Sequence, residues 1–200
     1  MVVSAPMIRR IWRSKDRVRT RIVRDSVDTA LFTPLPQSAA RVRFGIPAEA
    51  FVVLFPHEIS QPTKRLWLAE AAVSELRNAN PAARLWVVNN VRPDDMPWVY
   101  AAADVMIVTS AREGGPSSAK EALACGVPVV SVPVGDTQLM EEVPGYAFLA
   151  DATPSALAHA LAESVATRGE SRTSRLPAEL ELSAAARSME GIYAECLGSP

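Results

Sequence analysis

The sequence predicts an α/β fold, a doubly wound and mostly parallel sheet covered by helices, on three observations. Short, continuous, Val-rich apolar runs recur along the chain: FVVLF at 51–55, RLWVVN at 84–89, DVMIVTS at 104–110, VPVVSV at 127–132 and YAFLA at 146–150. Runs this short and without polar alternation suit strands buried on both faces. Helical patterns with short connections separate them, which is the order of βαβ units. Finally, 200 residues at 48% hydrophobic and 22% charged are enough to bury one sizeable core.

The elements follow in chain order. The alternation VRTRIV at 18–23 adds one more strand near the start. Over 64–78, Leu66, Ala69, Val73 and Leu76 recur at steps of three and four, giving one stripe toward the sheet. Asn80 and Pro81 end that helix. Shorter helices are expected over 94–103, 118–125 and 136–143. Thr153 before Pro154 is an N-cap followed by a first-turn proline, opening a helix that runs to residue 166. The polar stretch RGESRTSRLP at 168–177 is a loop, and Pro177 opens a last long helix with the stripe Leu182, Ala185, Met189, Ile192 and Cys196.

Composition excludes several classes. Cys125 and Cys196 lie too far apart in the chain to frame a disulfide scaffold, so a reducing, cytoplasmic setting is expected. No apolar run reaches the ~18–20 residues of a membrane span, and the Arg-rich start has no apolar h-region of a secretory signal. The net charge of −1 hides an asymmetry: residues 1–24 hold eight Arg or Lys against Asp16 alone, and the remainder carries an acidic excess. This basic arm fits a solvated helix face followed by a strand edge, with an anionic membrane surface as the alternative. No nucleic-acid module signature accompanies it, so no nucleic acid partner is expected.

In open parallel sheets ligands bind where strands end and helices begin, which directs attention to the loops after 55, 89, 110 and 132. The richest is AREGGPSSAKEALACG at 111–126. Gly114 and Gly115 admit a ligand close to the backbone. Ser117 and Ser118 open a helix whose free N–H groups and positive dipole end suit an anion. Glu113 and Glu121, seven residues apart in the E-x7-E sense, bracket the loop. As acceptor-only groups they match the paired hydroxyls of a ribose or a hexose. Ser118-Ala119-Lys120-Glu121 is equally a capping-box pattern, in which Glu121 would only cap its own helix. Glu113 has a simple alternative as a solvated loop residue paired with Arg112.

The stretch EGGPSSAKEALACGVPVVSVPVGD, 113–136, resembles the donor-binding signature of retaining nucleotide-sugar glycosyltransferases of the GT-B fold, family 4. Its start is similar to the teichuronic-acid-type branch. VDTALFTP (27–34), LFPHEISQPTK (54–64), VYAAADVMIVTS (99–110) and RSMEGIYAECL (187–197) extend the resemblance over nearly the whole chain. It implies a division into a remnant of an inter-domain segment (1–26), a nucleotide-sugar-binding Rossmann-like domain (27–167), and a loop with a closing helix (168–200).

The resemblance also implies roles. Glu121 would hold the ribose hydroxyls and Glu113 the transferred sugar. The backbone around Gly114, Gly115, Pro116, Ser117 and Ser118 would receive sugar or phosphate oxygens, and Lys64 would neutralise the diphosphate leaving group. Asn89, Asn90 and Arg92, after the second strand, would border the nucleobase. His57 is expected to be a hydrogen-bonding loop residue and His159 a surface residue. The family commonly has an arginine shortly before its lysine; the loop here reads His57-Glu58-Ile59-Ser60-Gln61, leaving Arg65 or Arg112 as substitutes. Its glycine-containing junction is replaced by Asp25-Ser26-Val27-Asp28.

The implied function is a donor domain binding a nucleoside-diphosphate sugar, a UDP-sugar in the first instance, for retaining transfer to a glycan or lipid-linked acceptor in cell-surface polysaccharide synthesis. No cofactor and no metal are expected. The implied location is cytoplasmic, with the basic arm against the inner face of the membrane. The alternative is a non-catalytic or split donor-binding module whose N-terminal acceptor domain is supplied by a partner chain.

Overall fold

The structure, a computed structural model, describes residues 2–3, 21–57, 60–169 and 171–198. Most of the basic arm lies outside the described residues, as do Glu58 and Ile59 of the first loop. The strands are β1 (Val2–Val3), β2 (Arg21–Ile22), β3 (Phe51–Phe55), β4 (Ala83–Val87), β5 (Val105–Val108), β6 (Val129–Ser131) and β7 (Ala147–Leu149). The α-helices are α1 (Gln37–Phe44), α2 (Leu66–Leu76), α3 (Met96–Ala102), α4 (Ser117–Ala124), α5 (Pro154–Ser164) and α6 (Leu182–Leu197). β1 and β2 form a small parallel pair, with β2 inside the alternation expected at 18–23.

The main sheet is five-stranded, in the order β4-β3-β5-β6-β7, and every pairing is parallel. Its central strands are buried on both faces, as Val-rich runs require. Val52, Leu54, Met106, Val108 and Val129 pack toward Val99, Tyr100, Ala119 and Leu123 of α3 and α4. Phe51, Val53, Phe55, Ile107 and Val130 pack toward Leu68, Leu76, Leu157 and Leu161 of α2 and α5. The α/β, doubly wound, Rossmann-like reading of the sequence is therefore the observed fold. The edge strands differ: β4 and β7 are mostly half-buried, because each lacks a neighbour on one side.

Local sequence accounts for the start of α5. Thr153 caps α5 by accepting from the Ala156 N–H at 3.3 Å, with Pro154 in the first turn. The helix expected over 64–78 is divided: Pro62–Lys64 is a 3-10 turn, Arg65 adopts a left-handed φ of 52°, and α2 starts at Leu66. The stretch expected as a helix at 136–143 is a 3-10 turn, Thr137–Glu142. α6 begins at Leu182 after a separate 3-10 turn, and none of its residues is buried, so its apolar stripe does not enter the core. Val27 joins Leu180 and Leu182 through backbone bonds of 2.9 Å each, tying the start of the domain to its end.

Candidate functional site at the switch point of the sheet

The chain runs from β3 outward to β4, then crosses back to place β5 on the other side of β3. The strand order reverses between β3 and β5, and that reversal opens a crevice between the loops that follow them. Backbone and side-chain bonds lace the two loops together. The Ala111 N–H donates to the Thr63 carbonyl (2.8 Å), and the Thr109 hydroxyl donates to the Lys64 carbonyl (2.7 Å). The Arg65 guanidinium donates to the carbonyls of Thr109 and Ser110. Arg65 is thereby spent on the loop backbone and is not a second free cation, while Arg112 is exposed.

This lacing brings Lys64 and Glu113, 49 residues apart, to 2.6 Å. Both side chains are largely buried, at 18% and 16% exposure. Burial alone would raise the Glu113 carboxyl, but the hydrogen bond and charge of Lys64 hold it below its ordinary range. Beside them His57 stands edge-on to Phe55, with ring centroids 5.1 Å apart. Its Nε2 is buried and has no hydrogen-bond partner among the described residues. Burial, reinforced by the Lys64 charge, lowers His57 to about 4 against the opposing pull of Glu113, so the imidazole is neutral at physiological pH.

On the β5 side, Gly114 is exposed, Pro116 is buried, and Ser117 and Ser118 open α4. The N-cap position is Pro116, with no side-chain cap bond. Its carbonyl receives the N–H of Ala119 at 3.0 Å. The N–H groups of Ser117 and Ser118 stand in the first turn, where no helical carbonyl precedes them. The capping box does not form. Glu121 instead accepts the Tyr100 hydroxyl at 2.7 Å. Burial raises the Glu121 carboxyl, and the Tyr100 hydrogen bond partly offsets this. Burial and the neighbouring Glu121 likewise push Tyr100 up; the same two causes take the Cys125 thiol to about 12.

Three residues of the region went unassigned from sequence: Tyr100, Lys120, which is fully buried, and Asp136, which pairs with Lys120 at 2.7 Å. A lysine inside an S-x-x-E pattern has the signature of a solvated side chain, and only the VGD run (134–136) hinted at Asp136. Tyr100 was missed because its partner lies 21 residues away on another helix. Asn89 and Asn90 are exposed after β4, Asn90 with a left-handed φ of 54°. Arg92 is exposed as well and comes within 3.9 Å of Asp94. His159 is at the surface, 3.7 Å from Glu163.

A parallel sheet with polar loops and a helix N-terminus gathered at its switch point is the arrangement in which open α/β sheets bind ligands. Residues 70–166, just under half of the chain, match the family model described as Glycosyl transferases group 1. The D-inositol 3-phosphate glycosyltransferase of Salinispora arenicola is 32% identical over 65% of this chain and 38% of its own length. That of Thermobispora bispora is 34% identical over 58% of this chain and 35% of its own. The chain thus spans little more than a third of the length of these relatives. Sucrose-phosphate synthase from Thermosynechococcus elongatus superposes with a TM-score of 0.79 at 24% identity, covering 100% of this chain and 58% of that one. Anabaena Alr3699/HepE, solved in complex with UDP and glucose, superposes at 0.72 and 20% identity over 100% of this chain and 62% of that one. These two likenesses establish the fold.

Proposed function

We propose that the chain is the donor-binding part of a retaining glycosyltransferase of family 4, binding a nucleoside-diphosphate sugar, in the first instance a UDP-sugar. The observation that carries this reading is the Lys64–Glu113 contact of 2.6 Å across the switch point. It sets a cation and an acceptor-only group side by side, one for a diphosphate and one for sugar hydroxyls. Lys64 would take up the negative charge that grows on the departing diphosphate as the glycosidic bond breaks. The N–H groups at the start of α4 would share that charge. Glu121, oriented by Tyr100, would accept the ribose hydroxyls, and Asn89, Asn90 and Arg92 would border the base. Gly114, Gly115 and Pro116 would bring the backbone close to the sugar and phosphate oxygens. In this reading lysine and helix N-terminus do the work for which other transferases use a metal.

The acceptor would be a glycan or lipid-linked sugar of cell-surface polysaccharide synthesis, as in the teichuronic-acid-type branch, handled on the cytoplasmic side with the basic arm at the membrane. Among the described residues no helix is long and apolar enough to cross a membrane. A specific observation favours the second reading, a donor-binding module completed by an acceptor domain. α6 buries none of its residues and leaves Leu182, Tyr193 and Leu197 exposed.

Calorimetric titration with UDP, GDP, ADP and their sugars tests the reading. Binding of one nucleotide series supports it, and no binding to any removes it. The Lys64–Glu113 pair adds a test of sign. Lys64→Met removes the diphosphate's cation and is expected to weaken UDP binding by about tenfold or more. Glu113→Gln frees the same lysine, so UDP, which has no transferred sugar, binds as well or better. Weakening by both variants alike would sink the assigned roles.

A further inference from the structure

Lys120 is 0% exposed, on the helix whose N-terminus faces the crevice. Burying an ammonium costs several kcal/mol unless it is closely paired, and Lys120 is paired twice. Its Nζ donates to Asp136 Oδ2 at 2.7 Å and to the Asp25 carbonyl at 2.9 Å. The two segments it holds meet beneath the glycine loop. A β-carbon on Gly115 would lie 3.1 Å from both Asp136 carboxylate oxygens and from Oδ2 of Asp25. Gly135, at a left-handed φ of 60°, backs onto Gly114, whose carbonyl oxygen would lie 3.2 Å from a β-carbon there. The loop therefore rests on two carboxylates, and Lys120 holds both of their segments in place. Asp136 Oδ1 is buried with no hydrogen-bond partner among the described residues, so the bond to Lys120 is what orients this carboxylate.

The geometry points to Lys120 and Asp136 as positioning residues for the anion-binding loop. The ammonium draws the segments at 25 and 136 against Gly115 and so fixes the N–H groups of Gly114, Gly115, Ser117 and Ser118 before a ligand arrives. The ligand in question rests on the nucleoside-diphosphate reading above; the positioning rests on the contacts. A pair that only stabilised the fold would be replaceable, because neutral residues of similar volume in place of a buried ion pair are often harmless or stabilising. A pair that sets the loop is not replaceable in that way, since its removal leaves the loop without its floor even where the fold recovers.

The test compares Lys120→Met, Asp136→Asn and the double variant with the unaltered chain. The readouts are melting temperature, UDP affinity by calorimetry and amide hydrogen exchange across 113–118. Each single variant is expected to weaken UDP by about tenfold or more and to speed exchange in that stretch. The double variant, with no unpaired buried charge, is expected to recover the lost melting temperature while its UDP affinity stays weak and its exchange fast. Recovery of affinity and protection together with stability would overturn the proposal, as would single variants indistinguishable from the unaltered chain in both. If Lys120→Met does not fold, the double variant alone carries the comparison. If the unaltered chain binds no nucleotide, the donor reading fails, and exchange across 113–118 still decides the positioning.

Discussion

Glu121 sits in α4 with its carboxylate bonded by the Tyr100 hydroxyl at 2.7 Å, so an O–H from a neighbouring helix orients it and its own helix's N–H groups do not consume it. Burial raises its pKa, so it takes up a proton at a higher pH than an ordinary glutamate. If it holds ribose hydroxyls as an ionised acceptor, acidification must weaken nucleotide binding as that proton arrives. Glu121→Gln keeps the side-chain shape and an acceptor for Tyr100 but cannot ionise. It is expected to bind UDP roughly tenfold to a hundredfold less tightly, from the loss of charge-assisted hydrogen bonds, and to lose the weakening that Glu121 protonation causes in acid. Calorimetry at several pH values checks both; unchanged affinity in the variant would make Glu121 a structural residue. Sequence spacing left two uses of this glutamate open, because S-x-x-E is a local pattern and Tyr100 is a tertiary partner. Glu113 was legible as a candidate from the same spacing, whereas its contact with Lys64 depends on how two loops 49 residues apart are laced.

At the scale of elements, the loop after β3 reaches the site because Arg65 turns it. Its left-handed φ of 52° separates the Pro62–Lys64 turn from α2, and its guanidinium is bonded to the carbonyls at the end of β5. A glycine would adopt that φ more readily but would leave the Thr109 and Ser110 carbonyls without their donor. Arg65→Gly is therefore expected to destabilise the domain by about 1–3 kcal/mol in denaturant unfolding, net of relieved backbone strain. It should also weaken UDP binding, because Lys64 loses its fixed distance from Glu113. A more stable variant would show that backbone strain, not the carbonyl bonds, governs the turn. The strands were legible here because a Val-rich run needs no partner to declare itself. α1 was not: QSAARVRF has no clean apolar stripe and no side-chain cap. What holds α1 is Arg41, buried and bonded to Asp104 at 2.6 Å across 63 residues. A sequence window does not contain such a pair.

For the whole molecule, unfolding exposes every group at once, so a single loop residue can shape the pH dependence of the entire fold. His57 does this through its surroundings: burial first, then the Lys64 charge, keep its folded-state pKa near 4, where the unfolded chain has the ordinary imidazole value of 6.5. Between these values the unfolded state binds a proton that the folded state refuses, so stability rises with pH across that window and falls on acidification. The full difference amounts to about 3 kcal/mol, at about 1.4 kcal/mol per tenfold in proton affinity. Glu113 and Glu121 also titrate in acid, in different directions: the lowered carboxyl of Glu113 loses stability as it is protonated, and the raised one of Glu121 gains it. Comparing the unaltered chain with His57→Gln keeps both carboxyls and removes the imidazole, together with its small share in lowering Glu113. Denaturant unfolding from pH 7.5 to 4 is expected to show the unaltered chain losing about 3 kcal/mol more than the variant, with most of the divergence below pH 6.5. Parallel curves would mean that His57 is solvated in solution, and that the crevice beside Lys64 and Glu113 admits water where the structure shows a buried ring nitrogen.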